Sequence, residues 1–233
     1  MQAMNYQQRR IEIETYFDRT AAEAWSRLTS DAPVSRIRRT VRAGRDRMRS
    51  TILDWLPENL AGKRVLDAGC GAGNFAFEAA DRGAQVIAID LSPTLVDIAR
   101  ARTPDFSNGG SVEFRVGDML DAVSEQYDFM VAMDSLIHYD CIDGLDVLSV
   151  LAEKIQEKMI FTFAPRTFLL GGMHAVGRLF PRGDRAPSIE PIAEKKLYDL
   201  LDRDHRLSAW SLARTERVKS GFYISQACEL IQC

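Results

Sequence analysis

The sequence predicts an α/β protein built on a mostly parallel sheet with helices on both faces. From residue 63 onward, short β-rich runs alternate with helical segments, the pattern of successive βαβ units. The first run, Arg64-Val65-Leu66-Asp67, passes directly into the glycine-rich stretch Ala68 to Gly73. The second run ends in Asp90 and the third is followed by Asp118, so carboxylates collect at the edge where open α/β sheets bind ligands. With 233 residues, 46% apolar and 27% charged, the chain can bury one large core, and a single domain over 1–233 is expected.

The elements follow in order. Residues 5–56 read as a helical cap. In its second half Ile37, Val41, Gly44, Met48, Ile52 and Trp55 recur every three or four positions on one face, and Pro57 ends the run. Gly44 sits on that apolar stripe at a helix-propensity cost of roughly 1 kcal/mol, which points to a close neighbour or ligand. The cofactor-type core occupies 60–164, with strands near 64–68, 84–90, 112–117, 127–133 and 157–164. Helices at 73–82, 93–102 and 144–156 fill the gaps, the second opened by Ser92 as cap and Pro93 at its first position. Residues 166–190 carry four glycines and two prolines among apolar and basic residues, too long for an ordinary connection, and read as a substrate-covering insertion. A helix at 191–203 and strands near 207–218 and 221–231 close the chain and bring the sheet to seven strands.

Charge and cysteine usage restrict the function classes. The net charge of −3 gives no global reason to expect nucleic acid. Seven arginines crowd 36–49 against the single acid Asp46, a run that fits either a solvated helix face or a docking surface. Cys70, Cys141, Cys228 and Cys233 form no C-x-x-C pair, so a reduced, cytoplasmic protein is expected, with no metal site of its own. No apolar run reaches spanning length, and membrane contact is expected to be peripheral at most.

The glycine turn after the first strand lets a ligand approach bare main chain, and Asp90, about 20 residues on, suits ribose hydroxyls. Together they imply a nucleoside. A dinucleotide fingerprint would carry glycine where this chain has Asn74, and a pyrophosphate would be repelled by Asp67, Asp90 and Asp118 at one rim. S-adenosylmethionine has no phosphate and carries an ammonium and a sulfonium, so the rim favours it. After the fourth strand, Met133-Asp134-Ser135-Leu136-Ile137-His138-Tyr139 puts a histidine at a strand-to-loop junction facing the same edge.

The run Val65 to Gly73, then Asp90, then Val116-Gly117-Asp118-Met119 resembles the successive motifs of Rossmann-like class I S-adenosylmethionine-dependent methyltransferases. That resemblance implies that Asp67, Gly69, Cys70 and Gly71 hold the methionine end and Asp90 the ribose. It further implies Leu91 beside the adenine, Asp118 accepting from its amino group, Met119 packing on its ring, and Met133 facing the sulfonium. The chain as a whole resembles the magnesium-protoporphyrin IX methyltransferase family of bacteriochlorophyll and chlorophyll synthesis. The resemblance rests on Tyr16-Phe17-Asp18-Arg19-Thr20 with Trp25, Val41-Arg42-Ala43-Gly44-Arg45, Met133 to Tyr139, Phe163 to Thr167, Leu179-Phe180-Pro181 and Gly221-Phe222-Tyr223-Ile224-Ser225. It departs at Thr29, where relatives from oxygenic phototrophs carry tyrosine, and matches the purple-bacterial branch better.

The family implies methyl transfer to one propionate of a magnesium porphyrin. His138 would be the catalytic group, orienting the propionate or ligating the magnesium, with Tyr16, Arg42, Tyr139 and Arg166 on the substrate side. It also implies magnesium chelatase's large subunit as a partner and photosynthetic membranes as the place of any peripheral contact. A methyltransferase for another apolar metabolite, such as a quinone precursor hydroxyl, shares the cofactor motifs and is the competing expectation. A non-catalytic S-adenosylmethionine-binding module and an NAD-dependent enzyme fit the residues less well.

Overall fold

A computed structural model describes residues 6–21, 36–166 and 189–233. Residues 167–188 of the insertion expected at 166–190, Thr29 and Trp25 lie outside the described residues. The sheet has seven strands in the order β3-β2-β1-β4-β5-β7-β6. They are β1 (Arg64–Ala68), β2 (Gln85–Asp90), β3 (Ser111–Val116), β4 (Tyr127–Ala132), β5 (Ile155–Phe163), β6 (Trp210–Ser220) and β7 (Tyr223–Gln232). Pairing is parallel from β3 through β5 and antiparallel where β7 meets β5 and β6. Strand order reverses beside β1, which lies between β2 and β4, and that switch point opens a crevice at the C-terminal strand ends.

Alternation along each central strand divides the core in two. Leu66, Ile87, Met130 and Phe161 face helices α5 (Cys141–Ala152) and α6 (Glu194–Arg203), with Ile13 of α1 (Tyr6–Thr15) joining this layer. Val65, Val86, Phe129 and Ile160 face α2 (Arg36–Asp54), α3 (Asn74–Asp81) and α4 (Pro93–Ala101). The stripe read on the second N-terminal helix is real: Met48 and Ile52 of α2 are fully buried. Gly44 has the close neighbour its position implied, since a Cβ there would lie 2.4 Å from the Tyr223 ring. The end of α2 is tied to the sheet by Arg214 and Lys158, both of which donate to the Trp55 carbonyl while pairing with buried Glu229.

Several boundaries differ from the sequence expectation for local reasons. Of the helical run expected over 5–56, α1 continues as a π-helical turn over Tyr16–Ala21 and α2 spans Arg36–Asp54, while residues 22–35 lie outside the described residues. The helix expected at 144–156 spans Cys141–Ala152 instead, since Asp140 caps it by accepting from the Ile142 and Asp143 amides, and β5 begins at Ile155. Ser92 does cap α4, accepting from the Leu95 amide, and Pro93 opens it. Asp18 reinforces that start by accepting from the Thr94 amide at 3.1 Å. β6 begins three residues later than expected because Asp204 caps a short turn at 205–207, and β7 begins two residues later, after the hairpin turn at Gly221-Phe222.

Candidate active site

The pocket at the switch point is built from six sequence segments. The end of β1 and the turn after it contribute Asp67, Gly69, Cys70, Gly71 and Ala72. The ends of β2 and β3 contribute Asp90, Leu91, Gly117 and Met119. The loop after β4 supplies Met133, Asp134, Ser135, His138 and Tyr139, and the N-terminal helices supply Ile13, Phe17, Arg42, Arg45 and Arg49.

The glycine turn is shaped by main-chain geometry. Gly69 and Gly71 have φ of +87° and +55°, where a side chain is strained. A Cβ at Gly69 would collide with Ser135 at 2.3 Å, whereas one at Gly71 would meet no protein atom within 4 Å. The turn is held by the Gly69 and Cys70 amides, both donating to the Ile89 carbonyl, and by the Gly71 amide donating to Asp90 Oδ2 at 2.8 Å. Asp90 Oδ1 accepts from the Ser92 amide. Asp90 therefore shapes the turn, and each of its oxygens keeps a further lone pair for a ligand hydroxyl.

Asp67 is the electrostatic centre. It is 2% exposed, and its Oδ2 is buried with no hydrogen-bond partner. Burial, with nearby Asp90 adding repulsion, pushes its carboxyl up to about 8. A buried carboxylate oxygen without a donor is a costly arrangement that a ligand ammonium would relieve. The donor set therefore fits a cationic amino-acid end beside a ribose. Cys70 is partly buried in the same wall, and burial together with Asp67 and Asp90 raises its thiol far above the ordinary range, so it is an inert lining group.

The structure departs from expectation at Asp118. This residue is not on the pocket wall: it caps the 3₁₀ turn Met119–Ser124, accepting from the Leu120 amide. Tyr6 of α1 donates to both its oxygens at 2.8 and 2.9 Å, and Arg10 pairs with it at 3.4 Å. The acidic rim thus narrows to Asp67 and Asp90, because the third carboxylate is already matched by the N-terminal helix.

On the substrate side, His138 is buried and meets the Phe17 ring edge-on at 5.6 Å. Tyr139 is buried and stacks on Tyr6 at 5.1 Å. Arg42 lines the pocket from α2, together with Arg45 and Arg49. Part of the arginine run therefore faces the site, while Arg39 and Arg47 are exposed. Tyr16 and Arg166 do not line the pocket. Phe17 lies between Tyr16 and His138, and Arg166 is exposed where its amide donates to the Ile192 carbonyl. Sequence reasoning missed Phe17, Arg45 and Asp134. All three stood inside quoted motifs, but neither a ring contact nor a salt bridge across 89 residues leaves a local signal.

A family model described as magnesium-protoporphyrin IX methyltransferase C-terminus matches residues 132–232, and a methyltransferase domain model matches 65–156. The magnesium-protoporphyrin O-methyltransferase of Rhodobacter capsulatus is 46% identical over 226 residues, covering 97% of this chain and 97% of its own. The chain belongs to the magnesium-protoporphyrin O-methyltransferase family. The crystal structure of magnesium protoporphyrin IX methyltransferase from Synechocystis PCC 6803 with bound SAH superposes at a TM-score of 0.82 with 28% identity, covering 95% of this chain and 98% of that one. The fold is accordingly the Rossmann-like methyltransferase fold, and S-adenosylmethionine is the cofactor. A ubiquinone biosynthesis O-methyltransferase from Xanthomonas euvesicatoria is 36% identical, but over 53% of this chain. The quinone expectation therefore shares about half of the chain, whereas the porphyrin family shares nearly all of it. No helix among the described residues is long and apolar enough to cross a membrane.

Proposed function

We infer that this chain transfers a methyl group from S-adenosylmethionine to a propionate carboxylate of magnesium protoporphyrin IX, giving the monomethyl ester of bacteriochlorophyll synthesis. Membership of the family supports the substrate, and one observation carries the site assignment: a buried carboxylate oxygen without a donor, Asp67 Oδ2, shares a pocket with His138. When bound, the cofactor supplies an electrophilic methyl on a positively charged sulfur.

The residues divide the work by position. Asp67 holds the ammonium end against the bend formed by Gly69, Cys70 and Gly71. Asp90 accepts from the ribose hydroxyls, Leu91 and Met119 pack on the adenine, and Met133 lines the wall toward the sulfonium. The adenine contact assigned to Asp118 requires Tyr6 to yield its place. A propionate is ionised at neutral pH, so no strong base is needed, and alignment with exclusion of water is the protein's main contribution. His138 donates to the propionate oxygen and orients it, with Phe17 fixing the ring's edge and Tyr139 closing the wall behind. Arg42 on α2 pairs with a substrate carboxylate. Exposed Arg39 and Arg47 supply a basic surface for an anionic membrane face or for the chelatase large subunit that delivers the porphyrin.

Purified protein incubated with labelled S-adenosylmethionine and magnesium protoporphyrin, metal-free protoporphyrin or a catechol quinone precursor tests this reading. Label in the magnesium porphyrin ester is expected, and label in the catechol alone would reject it. His138→Ala should lower turnover of both porphyrins. A loss confined to the magnesium form would show that His138 acts on the metal instead.

A further inference from the structure

Three segments distant in sequence meet at one carboxylate that the assigned roles above leave unused. Asp134 follows β4 at the start of the loop that carries Ser135 and His138, and its side chain is 4% exposed. Its Oδ1 accepts from the Tyr223 and Ser225 hydroxyls of β7, each at 3.1 Å, and from Thr162 of β5 at 3.3 Å. Its Oδ2 accepts from Arg45 of α2 at 2.9 Å and again from Tyr223 at 3.1 Å. The Asp134 amide donates to Thr162 Oγ1 at 2.7 Å, which ties the same residue to β5 a second time.

The backbone shows that this arrangement is imposed. Asp134 has φ of +54°, the only positive φ outside glycine among the described residues. A left-handed conformation is disfavoured for a residue carrying a Cβ and persists where surrounding contacts over-determine it. Those contacts are visible: Gly44 lets the Tyr223 ring lie against α2, and Gly221 sits where a Cβ would strike Thr40 at 2.5 Å. The closing hairpin is thereby pressed onto α2, and Tyr223 is aimed at Asp134.

We propose that Asp134 is a positioning residue for methyl transfer, a buried hub that fixes the His138 loop and the Arg45 guanidinium relative to one another. Its carboxylate joins α2, the β4 loop, β5 and β7 on one side of the pocket. Arg45 and Asp134 both line that pocket, so the pair sets the wall against which His138 and the acceptor carboxylate are aligned. The proposal rests on the methyltransferase reading of the pocket, but it assigns work to residues that reading does not use.

Asp134→Asn tests it with little change of shape, because asparagine tolerates the left-handed backbone and still accepts from the hydroxyls while losing the ion pair with Arg45. Assayed well below the melting temperature, kcat should fall on the order of tenfold to a hundredfold, as expected of misplaced reacting groups. The Kd for S-adenosylmethionine by calorimetry and the KM for magnesium protoporphyrin should each stay within about threefold. Arg45→Gln should lower kcat in the same way, and the double variant should be no worse than the poorer single variant. The proposal is overturned by a folded Asp134→Asn enzyme with near-normal kcat, by a loss that lies wholly in cofactor affinity, or by additive losses in the double variant. If Asp134→Asn does not fold, Arg45→Gln on the half-exposed helix face decides alone, and a normal kcat there overturns it. Absence of porphyrin turnover by the wild-type enzyme would instead sink the functional reading.

Discussion

Asp67→Asn keeps the size of the side chain at the floor of the pocket and removes its charge. In the free protein burial pushes this carboxyl up to about 8, and its Oδ2 has no donor. A ligand ammonium binds the ionised form, and an α-amino group itself has a pKa of about 7.7–8.0. With both pKa values near 8, about a quarter of encounters at pH 8 bring together the two charged forms, against roughly one in a hundred at pH 6. Affinity for S-adenosylmethionine should therefore be roughly 25-fold weaker at pH 6 than at pH 8, with about one proton released on binding at pH 6 and almost none at pH 8. Calorimetry in buffers of different ionisation enthalpy measures both quantities. In Asp67→Asn the acid limb should vanish, leaving affinity flat within about twofold between those pH values and weaker at pH 8 by about 2–5 kcal/mol. Wild-type binding that is equally tight at pH 6 and 8, with no proton release, would refute the assignment of Asp67 to the ammonium.

Further consequences follow from the same geometry. Because the folded-state pKa of Asp67 lies above its unfolded value, its contribution to ligand-free stability is fullest below about pH 4 and is lost as pH rises toward 8; the wild-type melting temperature should fall over that range relative to Asp67→Asn. Gly44→Ala gains about 1 kcal/mol in helix propensity but drives a methyl into the Tyr223 ring, at about 1–3 kcal/mol, so a net loss in chemical denaturation is expected. Tyr6→Phe removes both hydroxyl contacts to Asp118 and should tighten cofactor binding if Asp118 receives the adenine amino group; unchanged affinity would remove Asp118 from the cofactor site. Glu229→Gln removes the charge that Arg214 and Lys158 pair with; both cations keep access to solvent, so the loss should be about 1–3 kcal/mol at neutral pH, measured by urea unfolding. Burial opposes the charge of Glu229, but those two cations outweigh it and hold its pKa low. Its stabilisation is therefore present above the ordinary carboxylate range and fades as pH falls through the lowered value.

Much of the cofactor half was legible in the sequence because its signals are local. A strand, a bend and a helix must be consecutive to make the Gly69 to Gly71 turn, and Asp90 must end the next strand to meet it, so the order of residues already implies the geometry. Likewise the 3.6-residue stripe on α2 and the Ser92-Pro93 helix start depend on neighbours a few positions away. Asp118 shows the limit. Its place after β3 is local and was read correctly, yet its partners Tyr6 and Arg10 come from more than a hundred residues upstream, and they decide whether the carboxylate faces the ligand.

By itself, then, the order of residues determined the sheet, the glycine bend, the acidic strand ends and the position of His138 on a loop beside them. Only the tertiary structure decided which charges remain uncompensated. Asp67 keeps an oxygen without a donor, Asp118 is matched by α1, and Asp134 is matched by Arg45, Tyr223 and Ser225. All three are aspartates at the same edge of the sheet. What separates them is a difference of a few ångströms in where distant cations and hydroxyls come to rest, since Coulomb and hydrogen-bond energies depend on distance in space and not along the chain.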